Sequence, residues 1–269
     1  MQVTRFWNLV IVGFAQYFAA ICLVGTHTLK DLNLFLLSVS TILIAAAGYL
    51  INDYYDVKID LINKPERVVI GRSLARRYAI LFHSLLNFFG IAIGFFLGWK
   101  IGVVHFFSAF LLWWYSNNLK RQPFVGNFSI AILTGLTIFL LNLLYGYHPL
   151  ITIYSLFALF MTLVREIVKD MEDLKGDNSF GCKTLPIVWG IRQTKIFIYV
   201  LLIIFCVVVV FLNLYYAQLP HYYFVVALFI PLLFVVIRLT RADTKRDFYL
   251  LSQWCKVIML LGIVGMIFI

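Results

Sequence analysis

Apolar residues in this chain run in long blocks separated by short polar or charged segments, without the alternation of a half-buried strand. Blocks of membrane-spanning length fall near residues 7–24, 33–51, 78–98, 101–116, 127–146, 149–168, 196–216, 222–238 and 250–268. They predict an all-α, polytopic membrane helical bundle with nine transmembrane helices in a single domain over residues 1–269. The first block follows a single arginine and is not succeeded by a small-residue cleavage site, so it reads as a retained span rather than a signal peptide. The fourth block is short and aromatic, and the break between it and the third is tight, which leaves eight spans as the competing count.

Charge placement separates the two counts. With nine spans and a cytoplasmic N-terminus, nineteen of the 22 Lys and Arg residues fall in cytoplasmic segments. Lys30 and Lys100 fall on the other side, and Lys256 lies within the last span. This is the positive-inside asymmetry of a membrane protein, and removing one span would scatter basic loops over both faces. The expectation is therefore nine spans, with the N-terminus and the active site cytoplasmic and the C-terminus outside.

Composition agrees, since 63% hydrophobic residues, 17% of all residues being aromatic, leave too little polar surface to face water. The net charge of +10 follows from the loops, and no nucleic-acid-binding motif accompanies it. Cys22, Cys182, Cys206 and Cys255 have no ligand spacing, so neither disulfides nor zinc is expected. His27, His83, His105, His148 and His221 also lack one and read as structural or interfacial.

The acidic residues are distributed quite differently. Nine of the twelve lie in or beside two runs, Asn52-Asp53-Tyr54-Tyr55-Asp56-Val57-Lys58-Ile59-Asp60 and Asp170-Met171-Glu172-Asp173-Leu174-Lys175-Gly176-Asp177. Each places aspartates at i, i+3 and i+7, within about 60° of one another on a helix. Three carboxylates on one stripe repel unless a cation joins them, and ionisable residues at membrane depth are functional candidates. Two such stripes suit paired Mg²⁺ sites for a polyphosphate, because Mg²⁺ is held by one or two carboxylates together with phosphate oxygens and water. Basic neighbours reinforce this reading. Arg67, Arg72, Lys120, Arg121, Arg165 and Lys169 are candidates to contact phosphate oxygens, although the positive-inside rule alone would also place basic residues there. Tyr54, Tyr55 and Tyr115 are the aromatic candidates, whose π faces stabilise an allylic cation as they do an ammonium ion. Gly176 and Gly181 read as helix terminators.

The two runs resemble the paired motifs of the UbiA superfamily of intramembrane prenyltransferases: NDxxDxxxD at Asn52, Asp53, Asp56 and Asp60, and DxxDxxxD at Asp170, Asp173 and Asp177. The resemblance covers nearly the whole chain. It implies a helical bundle around a central cavity with a cytoplasmic cap. It also implies Mg²⁺ and diphosphate held by Asn52, Asp53, Asp56, Asp170 and Asp173, with Asp60 and Asp177 in support. Lys120 looks like the basic residue after the fourth span that grips the diphosphate, and Arg67 like an arginine of the loop after the first motif. Tyr115, Arg165 and Lys169 complete the expected contacts to substrate. The segments 59–67 and 165–170 look most like the geranylgeranylglyceryl-phosphate geranylgeranyltransferase branch, although Val68 follows Arg67 where an arginine-proline pair is customary.

The implied activity is Mg²⁺-dependent transfer of a polyprenyl group from its diphosphate to a lipophilic acceptor. Alkylation of an aromatic quinone precursor or esterification of a chlorophyllide by the same site is the alternative within the family. A divalent-cation transporter is the alternative from another class, but its pathway would need carboxylates towards the outer face, where Asp31 is the only one expected.

Overall fold

The computed structural model describes residues 3–63, 65–215 and 225–268. Lys64, His221 and the beginning of the expected span 222–238 lie outside the described residues, as does the side chain of Arg67. Ten α-helices account for most of what is described: α1 Val3–Leu23, α2 Leu32–Asn63, α3 Arg76–Leu97, α4 Trp99–Asn117, α5 Val125–Tyr145, α6 Pro149–Ser179, α7 Leu185–Val188, α8 Gly190–Tyr215, α9 Ile230–Arg241 and α10 Lys245–Val264. Among the described residues the only β feature is an isolated bridge between Ile70 and Leu74.

Seven of the described helical segments are long and apolar enough to cross a membrane. The block at 101–116 is helical within α4, but Lys100 and the block's own Trp, Tyr and His side chains make that helix less apolar than those seven. The block at 222–238 is represented by a π-helical turn, Val225–Phe229, and then α9.

Two helices exceed a bilayer's needs. α2 has 32 residues and α6 has 31, so at 1.5 Å per residue each is more than 45 Å long, against about 30 Å of hydrocarbon. The surplus carries the acidic runs, so each aspartate stripe continues a spanning helix without a break. Aspartate is a poor helix former, which makes the termini informative. At the start of α2, the Asp31 side chain accepts from the Asn33 backbone N–H at 2.9 Å, as an N-cap should. α2 ends at Asn63, just ahead of Pro65, which has no N–H to continue a helical ladder.

α6 begins on Pro149 and ends in a Schellman motif. The Cys182 N–H reaches the Asp177 carbonyl at 3.0 Å, the Gly181 N–H reaches that of Asn178 at 3.3 Å, and Gly181 supplies the left-handed φ of 68°. Gly181 therefore stops the helix as expected. Gly176 does not: it is helical, and the stripe keeps its register through Asp177 because the capping bonds form one turn later.

The chain divides into two compact units, Met1–Lys120 with Leu136–Thr152, and Arg121–Gly135 with Ile153–Ile269. In the first, α2 packs against α1, α3 and α4. Gly90 on α3 permits close approach to α2, where a Cβ would meet Ile44 Cγ1 at 2.7 Å and the Ser40 carbonyl at 3.1 Å. Gln16 is fully buried and donates to Thr41 Oγ1 at 3.1 Å and to the Thr137 carbonyl at 2.7 Å, joining α1, α2 and α5. Tyr145 Oη donates to Asp31 Oδ2 at 2.6 Å, fastening the end of α5 to the start of α2.

In the second unit, Ser155 Oγ on α6 donates to the Gly135 carbonyl on α5 at 2.8 Å. Phe157 of α6 meets Phe205 of α8 in a tilted ring contact at 5.3 Å and lies over Gly262 of α10. α9 packs on α10, whose first turn is closed by a capping box between Thr244 and Asp247.

Gly90→Ala should overpack the α2–α3 contact and cost about 1–3 kcal/mol, read as a lower unfolding midpoint in detergent. An unchanged midpoint would show that this approach is not close-packed.

Candidate active site

The first stripe lies on the last three turns of α2, where helical spacing places Asn52, Asp53, Asp56 and Asp60 together. All four are half-buried, while Ile51 and Ile59 on the same helix are in the core. Asp56 has a partner from far along the chain, because Lys120 Nζ donates to its Oδ1. Both side chains are largely withdrawn from solvent, at 9% and 14% exposure. Lys120 sits in a one-turn 3₁₀ segment, Leu119–Arg121, directly after α4. Leu119 is buried and anchors that turn.

Tyr54 and Tyr55 meet edge to face at 5.4 Å, and the Arg76 guanidinium lies over Tyr54 at 5.9 Å. Tyr115 lies half-buried near the end of α4. Arg72 is exposed and donates to the Pro65 carbonyl at 3.1 Å, so in this state it stabilises the loop after α2.

The second stripe repeats the arrangement with different chemistry. Asp170, Asp173 and Asp177 are half-buried on the last turns of α6, following the buried Ile167, Val168 and Met171. Asp170 Oδ2 accepts a 2.8 Å hydrogen bond from Asn127 Nδ2 on the first turn of α5. One turn before Asp170, the buried Glu166 accepts from Arg165 Nη1 and, at 3.4 Å, from Lys169 Nζ. Arg165 and Lys169 thus belong to an ion-pair cluster in which two cations meet the one carboxylate of Glu166. Glu166 would otherwise be a costly unpaired charge in the core.

Sequence reasoning assigned Arg165 and Lys169 to substrate without recognising Glu166 as their partner, and it missed Asn127 altogether. A signal for Asn127 was present, since an amide in the apolar block 127–146 must find a hydrogen-bond partner.

Among the described residues, no three His, Cys, Asp or Glu side chains converge into a preformed cage. Mg²⁺ does not require one, because substrate phosphate and water normally supply much of its shell. The donors on both stripes are hard carboxylate oxygens, with one amide at Asn52, and this set fits Mg²⁺ rather than a soft metal.

A model of the UbiA prenyltransferase family matches residues 13–257. The chain belongs to the UbiA prenyltransferase family. It is 32% identical over 230 residues to a digeranylgeranylglyceryl phosphate synthase from Methanosphaera stadtmanae, covering 85% of this chain and 84% of that relative. Its fold is similar to a solved structure described in connection with digeranylgeranylglyceryl phosphate synthase in membranes. The TM-score is 0.72, with 24% identity and coverage of 98% of this chain and 95% of the other. A UbiA homologue from Archaeoglobus fulgidus bound to GPP and Mg²⁺ is similar at a TM-score of 0.71, with 14% identity and 96% of each chain covered. With the seven long apolar helices, UbiA membership makes this an integral membrane protein and a prenyltransferase.

The Lys120–Asp56 contact can be tested by a double-mutant cycle. Lys120→Met and Asp56→Asn should each destabilise the protein and the double variant should recover part of the loss, with a coupling of about 0.5–3 kcal/mol. Unfolding in mixed micelles measures it, and strictly additive losses would refute the pairing.

Proposed function

We propose that this chain transfers a geranylgeranyl or similar polyprenyl group from its diphosphate to the hydroxyl of a prenylglyceryl phosphate, in a Mg²⁺-dependent reaction of ether-lipid synthesis. The observation that carries this reading is the pair of aspartate stripes, each on an extended helix and each with a partner from another element at one carboxylate, Lys120 at Asp56 and Asn127 at Asp170. The acceptor is supported by relatives from several archaea that are named digeranylgeranylglyceryl phosphate synthase.

Asn52, Asp53, Asp56 and Asp60 on α2, with Asp170, Asp173 and Asp177 on α6, are the residues that would hold Mg²⁺. When bound, the metal neutralises the diphosphate oxygens and makes pyrophosphate a better leaving group. Lys120 would exchange Asp56 for a diphosphate oxygen, since a lysine ammonium can turn between two anionic partners. Arg67, Arg165 and Lys169 add positive charge along the same motifs, and Tyr115 offers a π face to the prenyl chain's developing cation. The bond from the prenyl C1 to the diphosphate breaks with its electron pair going to the leaving group. The acceptor oxygen bonds to C1, and its proton passes to a carboxylate of the stripes or to a diphosphate oxygen.

The same reading makes the two units one catalytic domain within a nine-span bundle. The N-terminus and both stripes lie on the cytoplasmic side, beneath a cap formed by the loops that follow the stripes. The transporter alternative loses its outer ligand, because Asp31 already caps α2 and binds Tyr145.

Asp53→Ala and Asp170→Ala should each lower transfer by more than about 100-fold in a protein that still folds, since even supporting residues around a metal are worth 10–100-fold. Chelation should abolish transfer and Mg²⁺ restore it. Product mass after incubation with geranylgeranyl diphosphate and an acceptor panel should show the diether of geranylgeranylglyceryl phosphate. Alkylation of 4-hydroxybenzoate or a naphthoate instead would overturn the acceptor assignment.

A further inference from the structure

We propose that Asn127 is a positioning residue for Asp170, holding one carboxylate oxygen so that the group presents a fixed face to the metal–diphosphate pair. This rests on the function proposed above. Asn127 is the third residue of α5 and only 7% exposed, and its Nδ2 lies 2.8 Å from Asp170 Oδ2. A buried amide in an apolar helix is unfavourable unless it is hydrogen-bonded, and the Asp170 carboxylate supplies that partner.

The start of α5 is itself set at a backbone cost. Phe124 takes a φ of 65°, a conformation that an aromatic residue rarely adopts. It is held there by stacking on Phe128 at 5.6 Å and by an edge-to-face contact with Phe197 at 5.8 Å. The turn that places Asn127 is therefore built by tertiary packing.

The two stripes differ in a way that gives the amide a purpose. Asp56 is held by an ammonium, which must leave before a cation can use the same oxygen. Asp170 is held by a neutral donor, which orients the carboxylate without neutralising it, so its partner can remain in place when the cation arrives. Supporting hydrogen bonds of this kind fix the orientation of metal-binding carboxylates, and losing one costs 10–100-fold in affinity.

The test uses Asn127→Leu, which nearly preserves volume but removes the donor, with Asn127→Ala in case leucine is not accommodated. Thermal stabilisation of the full chain is titrated with Mg²⁺ in the presence of geranylgeranyl S-thiolodiphosphate, an unreactive analogue of the donor. Either folded variant should need about tenfold more Mg²⁺ to reach half-stabilisation, measured against its own ligand-free unfolding midpoint. An unchanged Mg²⁺ requirement, whatever the ligand-free midpoint, would reduce Asn127 to a packing role and overturn the proposal. Absence of any Mg²⁺-dependent stabilisation in the wild type would instead overturn the proposed function on which it rests.

Discussion

A carboxylate brought to the edge of a membrane bundle needs a partner, and the arrangement of this protein follows from how that need is met. The chain has twelve acidic residues in 269 and a largely apolar interior, so each half-buried acid is a local problem of desolvation. The solutions differ from site to site. Asp56 takes an ammonium, Asp170 an amide, Glu166 a guanidinium and an ammonium together, and Asp31 a tyrosine hydroxyl and a backbone N–H. These contacts also fix where helices begin and how they adjoin. Asp31 connects α5 to α2, Asp56 attaches the turn after α4 to α2, and Asp170 joins the first turn of α5 to α6.

The partners sort the acids by what they can do. Glu166 is compensated by two cations and deeply buried, which suits a structural charge at the base of the second stripe. Asp170, one turn nearer the end of the helix, accepts from a neutral amide. Asp56 takes an ammonium from the short turn after α4. The acids thus meet three kinds of partner: a pair of cations at Glu166, a neutral amide at Asp170 and one ammonium at Asp56.

Much of the site is legible in the sequence because each stripe is local to one helix. The spacing of Asp53, Asp56 and Asp60, and of Asp170, Asp173 and Asp177, defines a face wherever the segment is helical, and both segments are. The long apolar blocks show spanning helices for the same reason. Their counting is less secure at α4, where tryptophan, tyrosine and lysine lower the apolarity of a segment that is nonetheless helical. Gly176 shows the limit of local signals. A glycine following acidic residues suggests a helix end, but the capping hydrogen bonds form around Gly181, so the helix continues.

The sequence by itself therefore determined the class of fold, the two carboxylate faces and the family, because these depend on periodicity and spacing within single segments. Only the tertiary structure decided which groups answer those carboxylates. Lys120 lies 64 residues from Asp56, and Asn127 lies 43 from Asp170. No periodicity links positions so far apart; the pairings arise when helices pack and the groups left without water must find one another. The same packing holds Phe124 in a conformation that its own sequence disfavours, and places Arg165 and Lys169 on Glu166 in this state. Local chemistry marked out the acids, and the exclusion of water between helices selected their partners.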